Sequence, residues 1–140
     1  MKEMPRIGDI VKIKTNIDST FANGTGVVLK IRTRKDGYWI AAELLLEGQQ
    51  RWFNKGEIDR VIGRPKGISR IDQTSTRTHG WYVRVYSRNK TRSRLFSDGK
   101  YKGIGPAFEA AMAFRDEAER QLLSAEAGAE EQSSQAAGAS

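Results

Sequence analysis

Over the first part of the chain, apolar and polar residues alternate in short runs, each bounded by turn residues. The runs are IGDIVKIK from Ile7, GTGVVLKIRTR from Gly24, YWIAAELLL from Tyr38, QQRWF from Gln49 and EIDRVI ending at Ile62. A period of two predicts strands. Ala22-Asn23-Gly24, Lys35-Asp36-Gly37 and Glu47-Gly48 separate the runs, and glycine or asparagine at such places supplies the positive φ of a tight turn. YWIAAELLL is long enough to be read as a helix, but its flanking turns favour a hairpin. Five short strands with tight turns predict a small twisted β-barrel over residues 1–62.

IGRPKG breaks the alternation, because the residue before Pro65 is biased away from helix and glycines flank it. Residues 63–66 are expected to form a linker, short enough to restrict the relative orientation of the two units it joins. ISRID and the two halves of HGWYVRVYSRNKTRSRLF then predict three strands, the last two joined through SRNK. On the middle strand Trp81, Val83 and Val85 share one face, and Tyr82, Arg84 and Tyr86 share the other. The third strand has two possible parities. With Leu95 inward, Arg92 and Arg94 join Arg84 outside; with Phe96 inward, a bulge is needed to expose both arginines.

After FSDGKYKGIG the period lengthens. A helix is predicted from near Pro106 to about Leu123, with Ala107, Ala110, Ala111, Phe114, Ala118 and Leu122 on one face, a set small enough to lie close on a sheet. SAEAGAEEQSSQAAGAS carries no large apolar residue, so residues 124–140 are expected to be a disordered tail, with helical continuation through the alanines as the alternative. The expected fold is mostly β: a small barrel, then over residues 67–123 an α+β unit of three antiparallel strands packed on one C-terminal helix.

Charge gives this architecture a partner. Of the net +7, residues 1–63 contribute 11 basic and 8 acidic side chains, residues 64–120 contribute 13 and 6, and residues 121–140 contribute 0 and 3. A clustered positive field calls for a polyanion. A basic sheet backed by a helix can enter the major groove of duplex DNA, where arginine forks match guanine and other donors hold phosphates. Arg70, Tyr82, Arg84, Tyr86, Arg88, Lys90, Arg92 and Arg94 are therefore the candidate DNA-binding residues. Thr74, Ser75, Thr76, Ser87 and Thr91 are candidate phosphate donors.

Other chemistry finds little footing. Without cysteine there is no disulfide, thiolate zinc site or cysteine nucleophile. One histidine, His79, and scattered carboxylates make neither a histidine pair nor a metal-nuclease cluster. His79 is expected to be a phosphate contact or a turn residue, and GKYKGIG lacks the GK[ST] of a phosphate loop. No enzymatic activity, metal or cofactor is expected. Trp39, Trp52 and Phe53 are expected to fill or cap the barrel, and Lys12, Lys14, Arg32, Arg34 and Lys35 to extend the basic surface or line solvated strand faces. No apolar run has the length of a signal peptide or membrane span, so a cytoplasmic, nucleoid-associated location without a membrane partner is expected.

Two resemblances sharpen the reading. GDIVKI, GTGVVLKI and RWFNKGEIDRV resemble the Src-homology-3-like barrels of the Tudor and KOW type. Such barrels serve as nucleic-acid contacts, peptide grooves or interaction modules, so the resemblance implies a protein partner or additional nucleic acid for this unit. Residues Gly67 to Glu117 are similar to the Apetala-two/ethylene-response-factor DNA-binding domain in its bacterial and phage form. GI opens the first strand, GWYVRV lies in the second, FSD.KY.G precedes the helix and A..AA..FRDE lies within it. The resemblance implies a sheet that reads DNA with arginine and aromatic side chains, here Arg70, Arg84 and Arg92 or Arg94, with Tyr82 and Tyr86 beside them. Ser69 and Leu95 stand where plant members carry arginine and tryptophan, so no target sequence is carried over. The leading expectation is a non-enzymatic duplex-DNA-binding protein with a transcriptional or nucleoid-associated role. An RNA- or ribosome-associated adaptor acting through the barrel is the alternative, and a protein-interaction module with incidental charge is a third.

Overall fold

Positive-φ residues set the corners of the first sheet: Asn23 at 64°, Gly37 at 91°, and Glu47 and Gly48 at 48° and 73°. In the computed structural model, which describes residues 1–138 and their side chains through Ser124, these corners join β1 (Ile10–Ile13), β2 (Thr25–Thr33), β3 (Trp39–Leu46) and β4 (Gln49–Asn54) into an antiparallel meander. A 3-10 turn at Lys55–Glu57 then returns the chain to β5 (Ile58–Gly63), which pairs with β1 and gives the order β4-β3-β2-β1-β5. Glu57 fixes that return by accepting the Asn54 backbone N–H at 2.8 Å. Register shifts in the β1–β5 and β2–β3 pairs increase the local bend and twist of the sheet. Val11, Ile13, Val28, Trp39, Ala42, Leu44, Leu46, Phe53 and Ile58 fill its concave side.

The second sheet has the order β6-β7-β8, from β6 (Ile68–Gln73), β7 (Thr78–Ser87) and β8 (Lys90–Ser97), all antiparallel. Helix α1 (Ile104–Gly138) packs on β7 and β8. Its small residues do what the sequence expects of them: buried Ala107, Ala111 and Ala118 let it settle over Trp81, Val83, Val85 and Phe96. Phe108 meets Trp81 edge-on with ring centroids 4.8 Å apart, and Trp81 Nε1 donates to the Ile104 carbonyl at 3.0 Å. The backbone of α1 continues to Gly138, past the end expected near Leu123 and into the stretch read as a disordered tail. Alanine, glutamate and glutamine give that stretch helix propensity. Residues 139–140 of the expected tail lie outside the described residues.

The two sheets share a core. Leu29 and Leu45, on the convex side of the first sheet, belong to the cluster around Trp81 and Phe108, and Ile7 and Val27 pack against it. Gly8 sits at the seam with φ 99°, and a Cβ there would lie 3.3 Å from the Trp81 ring. Arg64, in the expected linker, is tied to the buried Asp9 at 2.9 Å.

Candidate nucleic-acid interface

Because side chains alternate along a strand, the register of β6–β8 decides which of them face the helix. On β7 and β8, Trp81 pairs with Phe96, Val83 with Arg94 and Val85 with Arg92, while Tyr82 pairs with Leu95, Arg84 with Ser93 and Tyr86 with Thr91. No bulge interrupts this ladder. Phe96 is thus the inward residue, and Arg92 and Arg94 fall on the helix side rather than with Arg84. Arg92 hydrogen-bonds Gln121 Oε1 of α1, and Arg94 lies over the Phe96 ring at 5.1 Å, both on the exposed edge strand.

Arg70 is also placed differently from the expectation. It pairs with Trp81, so it points to the helix side, and its side chain is only 9% exposed. Its guanidinium lies 5.0 Å from the Trp81 ring and is clamped by Asp98, at 2.8 and 2.6 Å, and by Asp72, at 3.1 and 2.9 Å. Burial pulls its pKa down, but the hydrogen bonds to Asp98 and Asp72 outweigh this and raise it above the ordinary arginine value. Burial likewise pushes Asp72 up, and hydrogen bonds from Arg70 and His79 outweigh it and hold the carboxyl below the usual range. His79 is a strand residue, its Nδ1 2.9 Å from Asp72, and belongs to this structural network.

The outward face therefore consists of Ser69 and Ile71 on β6, Tyr82, Arg84 and Tyr86 on β7, and Thr91, Ser93 and Leu95 on β8. Arg84 is its one arginine, exposed and 4.9 Å from the Tyr86 ring. Gly67 seats it. The Arg84 N–H donates to the Gly67 carbonyl at 2.9 Å, and at φ 75° a Cβ on Gly67 would lie 2.9 Å from the Arg84 carbonyl oxygen. Arg88, at φ 39°, occupies the β7–β8 turn, with exposed Lys90 beside it. Among the described residues no acidic side chain pairs with Arg84, Lys90 or Arg94.

Sequence reasoning missed Ser69, Ile71, Ser93 and Leu95 as members of this face. Parity was the missing signal on both strands: reading Arg70 as outward turned Ser69 and Ile71 inward, and on β8 Leu95 and Phe96 both suit a core. One further residue departs from expectation: Trp52 is 42% exposed on the first sheet, whereas Trp39 and Phe53 are buried. Among the described residues no cluster of His, Cys, Asp and Glu could hold a metal ion, and no helix is long and apolar enough to cross a membrane. No family model, curated protein or solved structure matches the chain.

Proposed function

We propose that the protein binds duplex DNA through the outward face of β6–β8, in the manner of an Apetala-two/ethylene-response-factor sheet, and serves a transcriptional or nucleoid-associated role in the cytoplasm without catalysis. The observation that carries this reading is a three-stranded sheet whose helix covers one face only, leaving Arg84 between tyrosines and hydroxyls on the other. Strands can read base edges from the major groove of B-form DNA. Arg84 offers a guanidinium fork to guanine, Ile71 and Leu95 offer apolar contact to thymine methyls, and Thr91 and Ser93 offer hydroxyls. Arg88, Lys90, Arg92 and Arg94 lie at the turn and the exposed edge, where phosphates of a seated duplex would pass.

With a single central arginine, base readout is thin and the phosphate contribution dominates. The strand order β4-β3-β2-β1-β5 and the 3-10 turn before β5 support reading the N-terminal unit as a Src-homology-3-like barrel. Salt-titrated fluorescence anisotropy with B-form duplex and duplex RNA tests the proposal. Four or five phosphate contacts give a log–log slope of about −4 on DNA, and the deep, narrow RNA major groove excludes the sheet. Tighter binding to duplex RNA would overturn the reading and favour the RNA-associated adaptor.

A further inference from the structure

Strand pairing on the convex side of the first sheet puts Lys30, Glu43 and Trp52 in one cross-strand row, and Arg32 and Ala41 in the next. Arg32 reaches across to Trp52, its guanidinium carbon 4.6 Å from the ring centroid. Trp52, Lys30 and Arg32 are all exposed. Adjacent strand residues point to opposite sides, so Phe53 takes the core position and Trp52 is left outside. Trp52 thus stays 42% exposed with Arg32 against its ring and Lys30 two strands away in the same row.

We infer that this patch is a second nucleic-acid site, a platform on which an unpaired base stacks against Trp52 while Lys30 and Arg32 hold its phosphates. Stacking demands an open base face, which a continuous duplex does not present and a single strand does. Lys30 and Arg32 are two residues apart on one strand, about 7 Å, so they can engage different parts of one extended chain. Glu43 lies between Lys30 and Trp52 in their row. One of its oxygens is buried without a hydrogen-bond partner among the described residues. A carboxylate in that row disfavours a phosphate there, which leaves Lys30 and Arg32 as the anion contacts. The platform is on the opposite sheet from Arg84, and the inference does not rest on the duplex reading.

The chain reports on this site by itself. Of its three tryptophans, Trp39 is 3% and Trp81 0% exposed, so Trp52 alone is accessible to a stacking base. Titrating the full chain with a short, unstructured oligodeoxynucleotide of mixed sequence is expected to quench tryptophan fluorescence. Trp52→Leu is expected to abolish that quenching and weaken single-strand binding by roughly 5- to 100-fold, with thermal unfolding little changed. Arg32→Ala should weaken it less, and Arg84→Ala should leave the quenching intact. The last comparison separates the two sites, because failure of the duplex reading alone leaves the Trp52 signal in place. No quenching by the oligonucleotide, or wild-type single-strand affinity in a folded Trp52→Leu protein, would overturn the platform. Quenching by phosphatidylserine–phosphatidylcholine vesicles in place of the oligonucleotide would overturn it in favour of a membrane surface.

Discussion

Arg70 and Arg84 stand on opposite faces of the same three strands, each about equally close to an aromatic ring, 5.0 Å for Arg70 over Trp81 and 4.9 Å for Arg84 over Tyr86. Their surroundings part them. Arg70 is covered and held by Asp72 and Asp98, so its charge is neutralised inside the molecule. Arg84 is exposed with no acidic partner among the described residues, so its donors remain available to a ligand. An arginine of this sheet thus keeps its donors for a ligand only where its position leaves it clear of carboxylates.

This contrast can be broken from either side. Trp81→Ala removes the ring beneath Arg70 and should cost about 3–5 kcal/mol, read by denaturant unfolding; a stable Trp81→Ala protein would overturn the face assignment. Arg70→Met leaves Asp72 and Asp98 facing each other's field without a cation. It should destabilise by about 1–3 kcal/mol, the partial exposure of both carboxylates reducing the full cost of a broken buried pair. Duplex affinity measured where the variant is folded should stay unchanged. Arg84→Ala should do the reverse, weakening duplex binding by about 1–3 kcal/mol while leaving the unfolding curve in place. Equal affinity in a folded Arg84→Ala protein would remove the outward face from the interface.

The smallest effect is on pH. The folded pKa of Asp72 is depressed, so its contribution to stability is present above the unfolded carboxylate value near 4 and is lost as pH falls through the lower, folded value. Acid titration of unfolding should show this loss in the wild type and a weaker one in Arg70→Met, which lacks the first of the two hydrogen-bond donors that hold the pKa down.

Much of the fold was legible because it depends on local signals. Alternation gave the strands, Asn23, Gly37 and Gly48 gave corners, and the alanine spacing of α1 gave the helix and its buried face. The candidate interface was legible only on β7, where Trp81, Val83 and Val85 fix the parity. On β8 the pair Leu95 and Phe96 allows both parities, and a shift of one residue exchanges every side chain between faces. Arg70 was misplaced because the parity of β6 is set by its pairing with Trp81; of its two carboxylate partners Asp72 is two residues away, while Asp98 is 28 residues away and no local pattern announces it. The exposure of Trp52 was within reach of the sequence, since Trp52 and Phe53 are neighbours on one strand and cannot both fill the same core. The extent of α1 turned on a balance between alanine propensity and the absence of large apolar residues, which sequence alone weighs poorly.

The core that passes from Leu29 and Leu45 through Gly8 to Trp81 and Phe108 bears on how the chain can be dissected or recombined. A cut in residues 63–66 follows the break in periodicity but runs beside a common interior, and a fragment starting there would present the flank of Trp81 to water. A transplant of the hairpin that leaves the first sheet behind takes Leu29 and Leu45 out of the core around Trp81.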